Sequence, residues 1–369
     1  MLLNDILADV PVPNVAMAGI VLTIYVKYVH HKRRLITDDY LSSISNPETV
    51  EEAHKISVKF MFQDFPFLAS KALEFGLFKT YGIPSISVIL YGTGELTQET
   101  NKRFDDTDIM IREFMEHNPN SKRSQASVER MNFIHKQYTI SNRDYLYVLS
   151  IFIVEPIEWT RKFGYRCVDL KEKIALHKRW KDIGEQMGIK NIPKTYDETL
   201  EYARAYENKY MKYNVTNEKL AHATMDLLLS KAPLKCLHRT LLHPIIHALC
   251  PPLLRNAMGF PEVSPIFQSL IESVLHLHAF LVRHLVLPQN SIVNRTSLTD
   301  EEYEATKTTR VKGCDSNNDV CGNRKSKKLF TSFDQFACVY KHGYRIEELG
   351  PARFCPVKHK SNGKNLKRQ

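Results

Sequence analysis

Along most of this chain apolar residues recur at intervals of three and four, the spacing that lines one face of a helix. The pattern runs through EEAHKISVKFMFQDF from Glu51, FLASKALEFGLFKTYG from Phe67, TDIMIREFMEH from Thr107, SQASVERMNFIHKQY from Ser124 and RDYLYVLSIFIVEPIEWTRKF from Arg143. It continues through LKEKIALHKRWKDIGEQMG, TLEYARAYENKYM, NEKLAHATMDLLLS, HRTLLHPIIHAL and SLIESVLHLHAFLVRHLV. Two-residue alternation is confined to ISVILYG near Ile86, which also fits a helix, and no repeat of 20–50 residues is present. The predicted fold is all-α: one helical globular domain over 51–297, with Gly82 and Pro84 stopping the helix that contains KTYGIP.

Ahead of this domain, VPVPNVAMAGIVLTIYVKYV over 10–29 is apolar apart from Asn14 and Lys27, long enough for one bilayer crossing. Asp5 and Asp9 precede it, whereas a cleaved signal peptide carries positive charge there. HHKRRL follows, so the positive-inside rule predicts a single-pass anchor with residues 1–9 lumenal and the domain in the cytosol. On that orientation the sequons at Asn214 and Asn294 stay unglycosylated. Residues 30–50 read as a basic, turn-rich juxtamembrane linker. SLIESVLHLHAFLVRHLV is apolar enough for a second membrane contact, although its three histidines argue against a span.

The net charge of +10 raises the question of nucleic acid, but its location answers it. From Ala305 to the end there are 15 Lys or Arg against 5 Asp or Glu, while the rest of the chain carries 36 of each. A neutral body holds no basic groove, so no nucleic-acid partner is expected, and the basic tail is free to be solvated or to meet anionic lipid. Residues 298–332 turn polar, with VKGCDSNNDVCGNRKSKK at their centre, and read as a loop; 333–369 reads as a segment packing back on the domain plus the tail. The seven cysteines have no repeated spacing and no CxxC pair, which argues against a disulfide framework or structural zinc.

His135 is the candidate centre. With Ser124 to Tyr138 helical, Val128, Met131, Ile134, His135 and Tyr138 share one stripe, which turns an imidazole inward where it needs a partner. Iron is one such partner and a backbone carbonyl is the other. Arg130, at the stripe's edge, and Arg143 are candidates to hold an anionic group. Competing chemistries have thinner support. HPIIH sets His243 and His247 four apart but lacks the Glu of HExxH, and a di-iron carboxylate bundle needs a second ExxH beyond Glu51 to His54. GTGE at Gly92 lacks the glycine and lysine pattern of a phosphate loop, and the acidic run from Asp105 to Glu116 reads as a solvated helix start.

The strings FGLFKTYGIPSIS, VERMNFIHKQY, DYLYVLSIFIVEPIEW and HGYRIEELGP, in this order behind an apolar N-terminus, resemble the fungal MpaB-type endoplasmic-reticulum oxygenases, a family related to bacterial latex-clearing rubber oxygenases. The similarity runs from about Met61 to Pro261 and resumes over Tyr340 to Phe354; the segment 298–332 departs from it, being shorter and more polar. The resemblance implies an all-helical domain holding haem b, with His135 of RMNFIH as axial iron ligand and dioxygen as co-substrate. It also implies distal-pocket roles for Lys79 and Thr80, and an acid at the position of Asp64 able to take an allylic proton. The implied reaction is oxidative cleavage of a carbon–carbon double bond in an isoprenoid side chain, at the endoplasmic-reticulum membrane, in secondary metabolism of the meroterpenoid kind. A catalytically inactive helical membrane protein with a structural His135, and a His-ligated metal hydrolase, remain as alternatives.

Overall fold

The computed structural model describes residues 12–230, 239–292, 296 and 344–354, and the expected 298–332 loop and most of the tail lie outside them. Among the described residues every regular element is helical, as the three-and-four spacing requires. In order these are α1 (Val12–Arg33), α2 (Asp39–Ser43), α3 (Val50–Lys59), α4 (Pro66–Thr80), α5 (Pro84–Thr93), α6 (Glu95–Gln98), α7 (Thr100–Glu116) and α8 (Lys122–His135). They continue with α9 (Asn142–Phe163), α10 (Leu170–Gln186), α11 (Tyr196–Tyr210), α12 (Val215–Ser230), α13 (Arg239–Leu249), α14 (Pro252–Met258) and α15 (Pro265–Leu285). Two single π-helical turns, Arg34–Asp38 and Phe60–Asp64, join α1 to α2 and end α3.

Local chemistry fixes these boundaries. Thr49 and Glu52 close a capping box on α3, Asp169 and Glu172 close one on α10, and Ser121 and Ser141 cap α8 and α9 by accepting from Ser124 N and Asp144 N. Proline opens α4, α5, α14 and α15, where its missing N–H costs nothing. The KTYGIP stop falls as expected, with α4 ending at Thr80 and α5 starting at Pro84.

Helix α9 is the spine, packed against α4, α10 and α11. Gly76 on α4 permits a close approach to α9, since a Cβ there would sit 2.9 Å from Ile151 Cγ2. The main core gathers Phe60, Phe114, Ile153, Leu176 and Trp180, with the Trp180 ring stacked on Phe152 at 4.8 Å. Burying such aromatic and aliphatic side chains contributes roughly 1.5–3 kcal/mol each.

Two expectations change. The segment over 30–50 is helical as far as Ser43 and docked on the body: Thr37 is buried with its Oγ1 donating to Asp64, and Lys171 Nζ donates to Leu41 O at 2.5 Å. The acidic run on α7 is not solvated, because Asp105, Asp106, Glu113 and Glu116 are all buried. Partners come from the same helix and from beyond it: Lys102 pairs with Asp106 and Arg112 with Glu116, Arg123 makes a two-pronged pair with Glu113 at 2.6 and 2.7 Å, Tyr344 also donates to Glu113, and Glu116 accepts from Thr296. The expected anchor corresponds to α1, whose Met17, Ile20 and Ile24 are more than 60% exposed; the first two residues of the predicted span lie outside the described part. Among the described residues, Pro265–Leu285 is the helix long and apolar enough to cross a membrane.

Candidate functional site

Between α4, α5, α7, α8, α9 and α10 lies a cavity of about 420 Å³, within the range of small-molecule sites. Its wall is mostly apolar, with Leu77, Met110, Phe114, Val148 and Phe152 supplying much of it. Periodicity explains the placement: each of these side chains is on the inward stripe of its helix, but their tips do not meet across the centre.

His135, the last residue of α8, faces this space. Its ring meets Tyr145 edge-on, with centroids 5.6 Å apart, and its Nδ1 is buried without a hydrogen-bond partner. Desolvation of the ring, helped by the cation of Arg103, holds its pKa down at about 4. The imidazole is therefore neutral near pH 7 and keeps a nitrogen lone pair. Thr80, from the end of α4, lines the same cavity, with its Oγ1 donating to Leu77 O at 2.7 Å.

The other expected residues lie elsewhere. Lys79 is one position, about 100°, round α4 from Thr80 and points away. Its Nζ sits 2.8 Å from both Glu155 and Glu207, beside Tyr147, whose hydroxyl donates to Glu207. This cluster borders a separate cavity of about 240 Å³. Burial raises the Glu207 carboxyl, opposed by Lys79, while the two carboxylates hold the Lys79 ammonium above its usual range. Asp64 closes the second π turn and is held by Lys59 at 2.7 Å and Arg166 at 2.8 Å, outside the main cavity's lining. Arg130 grips the C-terminal segment, donating to Leu349 O at 2.9 Å and Phe354 O at 3.1 Å. Arg143 is exposed and donates to Tyr210 Oη at 3.1 Å. Thus His135 and Thr80 line one cavity, while Lys79, Asp64, Arg130 and Arg143 lie outside its lining.

Sequence reasoning missed Arg103, which lines the cavity from α7 and acts electrostatically on both His135 and Tyr81. A signal existed: Arg103, Thr107, Met110 and Phe114 follow one stripe, so its charged head shares the face of the inward apolar residues. It also missed that Gly350 and Pro351, from HGYRIEELGP, form part of the wall. His243 and His247 are neighbours, with ring centroids 6.3 Å apart and His243 Nε2 3.5 Å from Asp226. Among the described residues no three His, Cys, Asp or Glu converge to hold a metal ion.

Fold and site together define an all-helical protein built around an apolar ligand cavity, into which one neutral, unpartnered histidine points. The chain belongs to the MpaB-type family of endoplasmic-reticulum-bound oxygenases. It is 36% identical over 203 residues to the ER-bound oxygenase mpaB of Penicillium roqueforti (strain FM164), covering 50% of this chain and 68% of that protein. It is 29% identical over 346 residues to the ER-bound oxygenase mpaB' of Penicillium brevicompactum, covering 85% of this chain and 80% of that protein. No protein-family model matches the chain.

Proposed function

We propose that this protein is a membrane-bound haem oxygenase that uses dioxygen to cleave a carbon–carbon double bond in an isoprenoid or other terpenoid side chain, with His135 as the iron ligand. The observation that carries the reading is the buried, unpartnered Nδ1 of a neutral His135 at the wall of an apolar cavity. A buried polar nitrogen costs free energy unless it is satisfied, and a bound group in the cavity is what can satisfy this ring. The donor set fits haem b: one neutral imidazole, apolar walls, and Arg103 in the lining to face a propionate. When bound, the haem supplies the activation of dioxygen.

The chain's own residues do the rest. Leu77, Val148 and Phe152 would bind the alkene by excluding water, and Thr80 would offer a hydroxyl beside it. The overall change puts one oxygen atom of dioxygen on each carbon of the double bond, giving two carbonyl fragments and releasing no proton. We assign Asp64 and Lys79 no acid–base role, because both are engaged in ion pairs and neither lines the main cavity. For localisation we propose the endoplasmic-reticulum membrane, with α1 as a single-pass anchor and the domain facing the cytosol, where a long prenyl chain partitions into the lipid beside the enzyme.

The full chain, purified in detergent, should show a Soret absorption band that His135→Ala removes while leaving the helical circular dichroism intact. A parent protein incubated with haemin that retains no Soret absorption after unbound haemin is removed would refute the assignment.

A further inference from the structure

Helix α15 is apolar on two sides: Leu275, Ala279 and Val282 turn to the body, and a second apolar stripe turns outward, which a helix packed on a body surrounded by water does not carry. Ile266, Leu270, Val274, Leu277, Leu281 and Leu285 succeed one another at intervals of three and four, and all are exposed, Ile266 at 83%. At the flanks of the body-facing side, Glu272 accepts from Lys162 at 2.7 Å, and the exposed His276 and His278 lay their rings against Phe163 and Phe67. Leu275 and Val282 join the main core from the same side.

The outward stripe is continuous with the apolar surface of α1. Tyr25 Oη donates to Leu285 O at 2.9 Å, His30 meets His284 at 2.9 Å, and Arg33 donates to Val282 O and, at 2.7 Å, to Val286 O. Arg33 thereby satisfies carbonyls at the end of α15, with its guanidinium laid 4.4 Å from the centre of the Tyr165 ring. The two helices are thus riveted to each other and to the body. Exposed Lys27, Arg34 and Arg283 lie within a few residues of this crossing, where they suit anionic headgroups.

We infer that α15 lies in the interface of the membrane that α1 enters, its Ile266-to-Leu285 stripe among the acyl chains. The occupant of this face is lipid, because the stripe runs on from a helix that already exposes Met17, Ile20 and Ile24, and because cations gather at the junction. The docking has a use for the site. Phe67, which touches His278, and Gln289, whose carbonyl accepts from Gln63 at 2.8 Å, both line the main cavity. Seating α15 in lipid brings that edge of the cavity against the phase in which an isoprenoid dissolves. This inference rests on the membrane association proposed above.

The test uses the full chain reconstituted into phosphatidylcholine vesicles, with or without bromine on the acyl chains. Leu270→Trp and Leu277→Trp place reporters on the stripe, and Tyr213→Trp places one at an exposed site on neither apolar helix; the emission of Trp159 and Trp180 is subtracted using the parent chain. The bromolipid is expected to quench most of the added emission of the first two variants and to leave the third unchanged. If the chain floats with the vesicles but the stripe reporters behave like the Tyr213→Trp control, the inference is overturned, and the face is wet or covered by a second copy. A chain that does not float overturns the membrane association itself, and this inference with it.

Discussion

Replacing Gly350 by alanine tests how the C-terminal motif is coupled to the cavity. Gly350 has φ of +97°, which an L side chain resists by roughly 1–2 kcal/mol, and an added Cβ would overlap Ile134 Cδ1 and lie 3.3 Å from Cγ1. Ile134 precedes His135 on α8, and Arg130 and Lys102 hold the same segment through Leu349 O and Gly350 O, so the backbone has little room to retreat. Overpacking of this kind costs about 1–3 kcal/mol, which puts the total near 2–5 kcal/mol. Gly188 is the control. It has φ of +75° but nothing within 4 Å of an added Cβ, so Gly188→Ala carries the backbone cost alone, roughly 1–2 kcal/mol. Hydrogen exchange of the amides over Arg345 to Phe354 is the assay, because strain at Gly350 can be relieved by local opening. Exchange there should accelerate at least tenfold in Gly350→Ala, the equivalent of about 1.4 kcal/mol, and stay unchanged in Gly188→Ala. Unchanged protection in Gly350→Ala would show that the segment does not bear on Ile134.

Lys79→Met leaves Glu155 and Glu207 facing each other without a counter-charge, and breaking a buried cluster in this way should cost about 3–5 kcal/mol in a denaturant titration, with no movement of the Soret band of the haem-loaded protein. A shifted band would return Lys79 to the cavity. In the unloaded protein His54 and His135 have folded-state pKa values near 4 against a usual 6.5, so the unfolded chain binds the extra protons first. Stability should therefore be complete above about pH 6.5 and decline as pH falls toward 4, with a shallower slope in His135→Ala; equal slopes would contradict the burial of this ring. Endoglycosidase treatment of the protein expressed in a eukaryotic host should leave its mass unchanged at Asn214, and a glycan there would reverse the proposed orientation.

The helical fold was legible because its signal is local: caps such as Thr49 with Glu52, breakers such as Gly82 and Pro84, and stripes like Val128 to His135 each sit within a few residues. Facing of His135 into the interior was legible for the same reason. The site beyond it was not, since its geometry depends on which helices meet. Lys79 and Thr80 look alike as neighbours in a motif, yet one turns to Glu155 and Glu207 on α9 and α11 while the other turns to the cavity. Glu113 reads as a surface acid until Arg123, ten residues on, and Tyr344, 231 residues away, are brought to it. Arg103 escaped because a charge at the head of an apolar stripe resembles a side chain reaching for water.

The π turn over Phe60–Asp64 has a consequence of a different kind. Such a turn houses one residue more than an α-helical turn in the same place, so its presence makes chain length there a specified quantity, independent of which residues fill it. Removing a single position, Gln63 for instance, would restore α-helical spacing as far as the break at Phe65, yet would swing everything before it by about 100° relative to α4. Lys59 and Thr37 would then lose their common meeting point on Asp64, and α1 would be turned away from α15, to which Tyr25 and Arg33 tie it. In this stretch the orientation of everything ahead of Phe60, about a sixth of the chain, is counted out in residues, and substitution tolerance and deletion tolerance part company.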